Sequence, residues 1–318
     1  MSDYKKFKLP APREEWLENR SKGLGGSDAG AVIGVNKYKS PYTLWCEKTG
    51  KLQAPDIDNE AMRIGRDLED YVAQRFTEAT GKKVHKSGFS YQSIKHPFML
   101  ANIDRWVVGE DAGLECKTAN AMSRVDWEGG NIPESYYTQC VHYMAVTGAK
   151  KWYIAVLVMG KAFYYWEVQR NEEEIQALID MEEDFWNKVQ NGIEPHIDGS
   201  DSTTETIKTI YGPIANESLD IDIDPKENEL EILANIEDQI KELEKTKTEC
   251  QNKVKRYMED AVYGHCHGYK VTYKETKPRV SVDSKKLQKE YPGVYEDCIK
   301  VGQPTRPFKL ERIKEEEF

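Results

Sequence analysis

FMLANIDRWVVGEDAGLECKT, residues 98–118, holds two strand-like stretches on either side of Val-Gly-Glu-Asp-Ala-Gly. Apolar, aromatic and β-branched side chains bounded by turn formers read as a β-hairpin. Asp104 and Glu115 then stand on opposite strands, with ten residues between them, and acids at opposed positions of a hairpin can meet on one face. Glu115 and Lys117 are two apart, so they point to the same side while Cys116 points away. Two carboxylates and an ammonium on one face suit a Mg²⁺ site, with hard oxygen ligands for the ion and a lysine near a water. A solvent-facing hairpin with a cross-strand ion pair has the same pattern, so these three residues leave both readings open.

Working outward, residues 88–93, 98–107, 112–118, 152–159 and 163–169 read as strands from their Val, Ile, Tyr and Trp content and turn punctuation. GGSDAGAVIG (25–34) reads as a loop and short helix, with Ser27 or Asp28 as N-cap. Further helices are expected from about Asn59 to Thr80 before Gly81, from Pro133 to Thr147 before Gly148, and from Asn171 to about Gln190. Asn171 and Glu174 resemble a capping box, and Gly192 and Pro195 close that helix. Residues 1–212 are therefore read as an α/β domain. Polar residues 196–222 read as a linker. Beyond it a charged amphipathic helix opens at 224–227 and runs to about Val262, with Leu230, Leu233, Ile236, Ile240 and Leu243 on one face. A small unit follows, with a strand over 269–275, a helix over 283–290 and a terminal strand before EEEF. Residues 213–318 thus form a C-terminal extension.

The chain has 318 residues, 39% hydrophobic and 10% aromatic, enough for a substantial core. Six cysteines, none in a CxxC pair, fit reduced thiols in a cytoplasm better than a disulfide framework or zinc ribbon. No apolar run approaches the roughly 18 residues of a membrane span, and MSDYKKFKLPAPREEW lacks a signal-peptide stretch. A soluble, cytoplasmic protein is expected. The net charge of −10 argues against a passive DNA-coating protein, because such binding rests on neutralising phosphates. It argues less against an enzyme that holds cations with carboxylates and keeps its bases in a groove. GLGGSDAG lacks the Gly-Lys-Ser/Thr of a P-loop, and His265-Cys266-His267 has no further ligands at zinc-like spacing.

Glu69 stands beside the apolar stripe Val72, Ala73 and Phe76 at helical spacing. A carboxylate next to a core needs a partner; a metal ion is one, and Arg66 or Arg75 is another. Gln139 and Tyr143, four apart, share a helix face. Taken in order, Trp16…Arg20, Gly25-Gly26-Ser27-Asp28-Ala29, Ser40-Pro41-Tyr42-Thr43-Leu44-Trp45, Gly65-Arg66-Asp67-Leu68-Glu69, Asn102-Ile103-Asp104, Leu114-Glu115-Cys116-Lys117 and Gln139-Cys140-Val141-His142-Tyr143 resemble the PD-(D/E)xK nuclease superfamily. Within it they are similar to the YqaJ/lambda-exonuclease group of viral recombination nucleases, over roughly residues 13–190.

The resemblance implies a restriction-endonuclease-like core, a central mixed β-sheet flanked by helices. It implies a 5′→3′ exonuclease that digests double-stranded DNA from 5′-phosphorylated ends by two-metal hydrolysis. Two Mg²⁺ ions are its cofactors, and Mn²⁺ suits the same oxygens. Asp104 would bridge the ions, Glu115 and the Cys116 carbonyl would complete one site, and Glu69 would help hold the second. Lys117, with Gln139 beside it, would orient the attacking water and help deprotonate it. Arg20 and Ser27 match positions that grip the 5′-phosphate, Asn102 is a weaker phosphate donor, and Met62 matches an apolar wedge at the terminal base pair. Ala101-Asn102-Ile103 departs from the small-residue motif usual before the catalytic aspartate. The resemblance further implies a ring-shaped homotrimer and a phage single-strand annealing protein as partner, for which residues 225–318 are the docking candidate. A catalytically dead DNA-binding scaffold and an endonuclease of the same superfamily are the alternatives.

Overall fold

Alternation along Lys151–Val158 sets the layers of the molecule. Trp152, Ile154, Val156 and Val158 belong to one apolar cluster, and Tyr153 and Ala155 to another. A strand apolar on both sides must be covered on both sides, and the computed structural model shows helices there. It describes residues 4–8, 19–53, 59–212, 221, 223, 228–302 and 306–310. The chain divides into two compact units, Met1–Gly212 and Pro213–Phe318.

In the first unit the strands are β1 (Tyr4–Lys8), β2 (Leu24–Gly25), β3 (Val84–Lys86), β4 (Phe89–Ser93), β5 (Met99–Asn102), β6 (Arg105–Val107), β7 (Ala112–Ala119), β8 (Lys151–Val158) and β9 (Ala162–Gln169). Its helices are α1 (Gly26–Val32), α2 (Pro41–Lys48), α3 (Glu60–Thr80), α4 (Glu134–Thr147), α5 (Glu172–Asn191) and α6 (Asp201–Tyr211), with a 3₁₀ segment at Ala121–Gly130. One sheet runs β3-β6-β7-β8-β9, parallel only between β7 and β8; the other runs β1-β4-β5-β2. Helices α4 and α5 bury their apolar residues against one face of the five-stranded sheet, and α3 brings Val72, Ala73 and Phe76 to the other. This is the mixed sheet flanked by helices that the sequence implied. Gly113 on β7 is dictated by that packing, because a Cβ there would lie 2.2 Å from the Trp152 ring.

Helix α3 is capped as expected, with the Asn59 side chain accepting from Met62 N–H and Gly81 left-handed at φ 72°. Asn171 and Gly192 likewise bound α5. Four expectations are corrected. The first helix starts earlier, capped by Gly25, whose N–H donates to the Asp28 carboxylate at 3.1 Å; neither Ser27 nor Asp28 is the cap. The strand expected over 98–107 is broken at Ile103 and Asp104, where the chain leaves one sheet for the other. The expected linker contains α6, whose hydroxyls bond to those of α2: Thr43 to Ser202 and Thr206 at 2.8 Å each, and Thr203 to Ser40 at 2.7 Å. Polar composition concealed a packed helix. The charged helix ends at Met258 rather than near 262.

That helix, α7 (Glu229–Met258), belongs to the second unit with hairpin β10 (Tyr263–Cys266) and β11 (Tyr269–Thr272), α8 (Ser284–Glu290) and α9 (Pro292–Cys298). His265-Cys266-His267 leads into the hairpin turn, where His267 and Gly268 have φ of 47° and 83°. Residues 224–227 and 311–318 lie outside the described residues, and 306–310 are not in a strand. Among the described residues no helix is long and apolar enough to cross a membrane.

Candidate active site

The β6–β7 register pairs Arg105 with Leu114. Continued by one residue, it sets Asp104 opposite Glu115, and Asp104 Oδ2 accepts the Cys116 N–H at 2.8 Å. Leu114 faces the α3 side of the sheet, so Glu115 and Lys117 face α4. There Gln139 joins them: its Nε2 donates to Glu115 Oε1 at 2.7 Å and to the Tyr143 hydroxyl at 2.8 Å, and its Oε1 accepts from Lys117 Nζ at 3.1 Å. Lys117 Nζ also lies 2.5 Å from Glu115 Oε1 and 4.9 Å from the centre of the Tyr136 ring. Glu115 is 3% exposed, and its second oxygen, Oε2, is buried with no hydrogen-bond partner.

Charge explains the electrostatics. Removal from water, then the nearby Glu115, push the Asp104 carboxyl well above the usual range, against the opposing pull of Lys117. Burial opposes the charge on Lys117, but Glu115 and Asp104 outweigh it and raise its pKa. Its ammonium is thus held in the charged form between the two carboxylates. Glu69 is answered by a residue the sequence reading did not single out: Arg105, 3% exposed, donates to Glu69 Oε1 at 2.5 Å and also bonds Asp70. Arg75 instead pairs with Glu78 and bonds the Tyr71 hydroxyl. Glu69 still contributes its charge to the field at Asp104.

Among the described residues no three His, Cys, Asp or Glu side chains form a metal cage. The fit to a divalent cation rests on other ground: an unpartnered buried carboxylate oxygen beside a second carboxylate of raised pKa is a donor set short of positive charge. Asp104, Glu115 and the Cys116 carbonyl suit a hard cation. Glu69 does so only by sharing its charge with Arg105.

The phosphate candidates gather elsewhere in the same unit. Arg20 bonds the Ser27 hydroxyl and lies 3.6 Å from Asp28. Arg20 and Asn102 line one cavity of about 220 Å³, and Ser90 donates to Asn102 Oδ1. Met62, 52% exposed, lines a wider cleft of about 960 Å³ with Arg20, Lys37 and Lys48, so it is not a core methionine. Trp16 lies outside the described residues.

Asp28 anchors this region. Burial opposes its charge, but Lys48 at 2.9 Å and Arg20 prevail and hold its pKa down to about 2. The folded pKa lies below the ordinary 3.8, so the stabilisation is complete above that value and is lost as pH falls through 2. The stability gap between wild type and Asp28→Asn in urea titrations should narrow by about 2 kcal/mol between pH 5 and pH 2. A gap constant with pH would refute this account.

Comparison with known proteins agrees with the sequence reading. The YqaJ-like viral recombinase domain matches residues 15–150. The protein YqaJ of Bacillus subtilis (strain 168) is 40% identical over 294 residues, 91% of each chain. Among solved structures, an alkaline exonuclease (LHK-Exo) from Laribacter hongkongensis is 20% identical with a TM-score of 0.49, over 57% of this chain and 94% of its own. A phage related exonuclease from Haemophilus somnus 129PT is 11% identical with a TM-score of 0.41, over 54% and 96%.

Proposed function

The chain belongs to the YqaJ-like viral recombinase family, and from that premise we propose that it is a metal-dependent exonuclease degrading double-stranded DNA from 5′ ends. The observation that carries this reading is the buried, unpartnered Glu115 Oε2 beside Asp104. Asp104, Glu115 and the Cys116 carbonyl would hold Mg²⁺, with Glu69 contributing charge to a second ion. Such ions, when bound, lower the pKa of a water and neutralise charge at the leaving 3′-oxygen.

The chain's own groups do the rest. Lys117 keeps its proton at Nζ and donates toward the negative charge that develops at the scissile phosphate, in a site shielded from water. Gln139 fixes both Lys117 and Glu115, so neither has to reorganise during the reaction. Arg20, Ser27 and Asn102 would receive the 5′-phosphate, because a guanidinium grips phosphate bidentately. Met62 would part the terminal base pair. Digestion then leaves a 3′ single strand for an annealing protein of the same recombination system. The exposed apolar residues Ile232, Ile236, Ile240 and Leu243 of α7 support residues 225–318 as the docking surface for that partner. The ring trimer belongs to this reading by family membership, as does residence in the bacterial cytoplasm.

The test is digestion of a linear duplex with Mg²⁺, comparing 5′-phosphorylated, 5′-hydroxyl and covalently closed circular DNA. Stepwise loss of the 5′-phosphorylated linear form, sparing circles, is expected. Cut circles would point to an endonuclease, and no cutting with DNA binding intact would leave a scaffold.

A further inference from the structure

β1 is Tyr-Lys-Lys-Phe-Lys, the edge strand of the four-stranded sheet, and it is basic in a chain whose net charge is −10. Lysines on an edge strand guard against pairing with another chain, but that does not account for Phe7. Phe7 pairs with Ser90, and Ser90 with Asn102. Directly opposed residues of neighbouring strands share a face, so Phe7, Ser90 and Asn102 form a row across three strands. Asn102 ends β5, two residues before Asp104, and Phe7 stands about 10 Å from it at two strand spacings. The row opens on the cavity of about 220 Å³, which Lys8, Arg20 and Lys22 also line. Phe7 is 49% exposed and leaves much of its ring area open.

Three cations and an exposed aromatic ring around one cavity match a nucleotide: charge complements phosphate, and the ring complements a base. We propose that Phe7 is the stacking platform for the base of the 5′-terminal nucleotide of the strand being cut, with Lys8 and Lys22 drawing the adjoining phosphates. The inference rests on the exonuclease reading above. It assigns to β1 the holding of the terminal nucleotide once it has left the duplex. Stacking is indifferent to which base is present, so the platform serves an enzyme that removes every nucleotide in turn.

The experiment uses the full chain and a linear 5′-phosphorylated duplex ending either in a normal nucleotide or in an abasic one, with wild type, Phe7→Ala and Phe7→Tyr. Base–aromatic stacking is strong enough that Phe7→Ala should raise KM on the normal end about tenfold with kcat little changed. Phe7→Tyr should restore wild-type KM. On the abasic end all three proteins should have the same KM, which a merely structural role for β1 would not produce. A 2-aminopurine at the 5′ terminus should also be quenched by wild type and Phe7→Tyr but not by Phe7→Ala. Equal loss on both ends, or no loss on either, overturns the platform and leaves β1 a guarded edge. If wild type cuts neither end, the exonuclease reading itself has failed.

Discussion

Asp104→Asn is expected to yield a protein that no longer cuts DNA and yet, without divalent cation, is more stable than wild type. The loss should be about 10³-fold or more in kcat/KM, near 4 kcal/mol of transition-state stabilisation. The gain in stability has the opposite origin. Asp104 lies near the buried Glu115, and desolvation together with that charge raises its pKa. A group whose folded pKa exceeds its unfolded value weakens the fold as pH rises through the ordinary carboxylate range toward the folded value. Asparagine removes the charge and can still accept the Cys116 N–H. Urea titrations at pH 7 without metal should therefore favour the variant. The advantage should vanish below about pH 4, where both proteins are neutral at this position. Added Mg²⁺ should raise the wild-type melting temperature and leave the variant's nearly unchanged. A variant less stable than wild type at pH 7 without metal would contradict the electrostatic picture. Retained cutting would remove Asp104 from the site.

Glu182→Ala is expected to cost about 3–5 kcal/mol of stability, the toll of stranding one member of a buried ion pair. Glu182 and His142 are each 0% exposed, and His142 Nδ1 lies 2.8 Å from Glu182 Oε1. His142 Nε2 faces the Leu100 carbonyl at 2.9 Å. A carbonyl only accepts, so Nε2 carries a proton, and a carboxylate beside Nδ1 calls for a second. Burial works against the imidazolium, but the charge and hydrogen bond of Glu182 outweigh it and raise the histidine pKa above 6.5. The pair's contribution is therefore fully present below that value and is lost as pH rises through the folded pKa. Glu182→Gln keeps an acceptor for Nδ1–H and should cost less than the alanine, with a gap to wild type that narrows toward alkaline pH. Thermal and urea denaturation of both variants across pH 6 to 9 checks both claims. Losses below about 1 kcal/mol for the alanine would show that α4 and α5 hold β5 without this pair.

Much of the fold was legible in local signals. Asn59 and Gly81, and Asn171 and Gly192, mark helix ends through their own side chains or backbone preferences. The hairpin register followed from a glycine turn and strand alternation, which is why Asp104, Glu115 and Lys117 could be placed together from sequence. What escaped depends on residues distant in the chain. Arg105 answers Glu69 from 36 positions away, and His142 answers Glu182 across 40. Nothing in either neighbourhood advertises those partners. Helix α6 escaped for another reason: Ser202, Thr203 and Thr206 look like linker residues until Ser40 and Thr43 are seen to accept and donate opposite them. β1 was hidden because five residues with three lysines carry little strand signal unless the paired β4 is known.

The break at Ile103 and Asp104 places one carboxylate on the seam where the chain passes between sheets, whereas Glu115 is built into the middle of the larger sheet. Asp104 is tied across that seam to the Cys116 N–H at 2.8 Å, so the distance between the two acids depends on β7 keeping its place against α4 and the core beneath it. Substitutions deep in that core, touching neither acid, can detune the pair as a bent frame misaligns a lens.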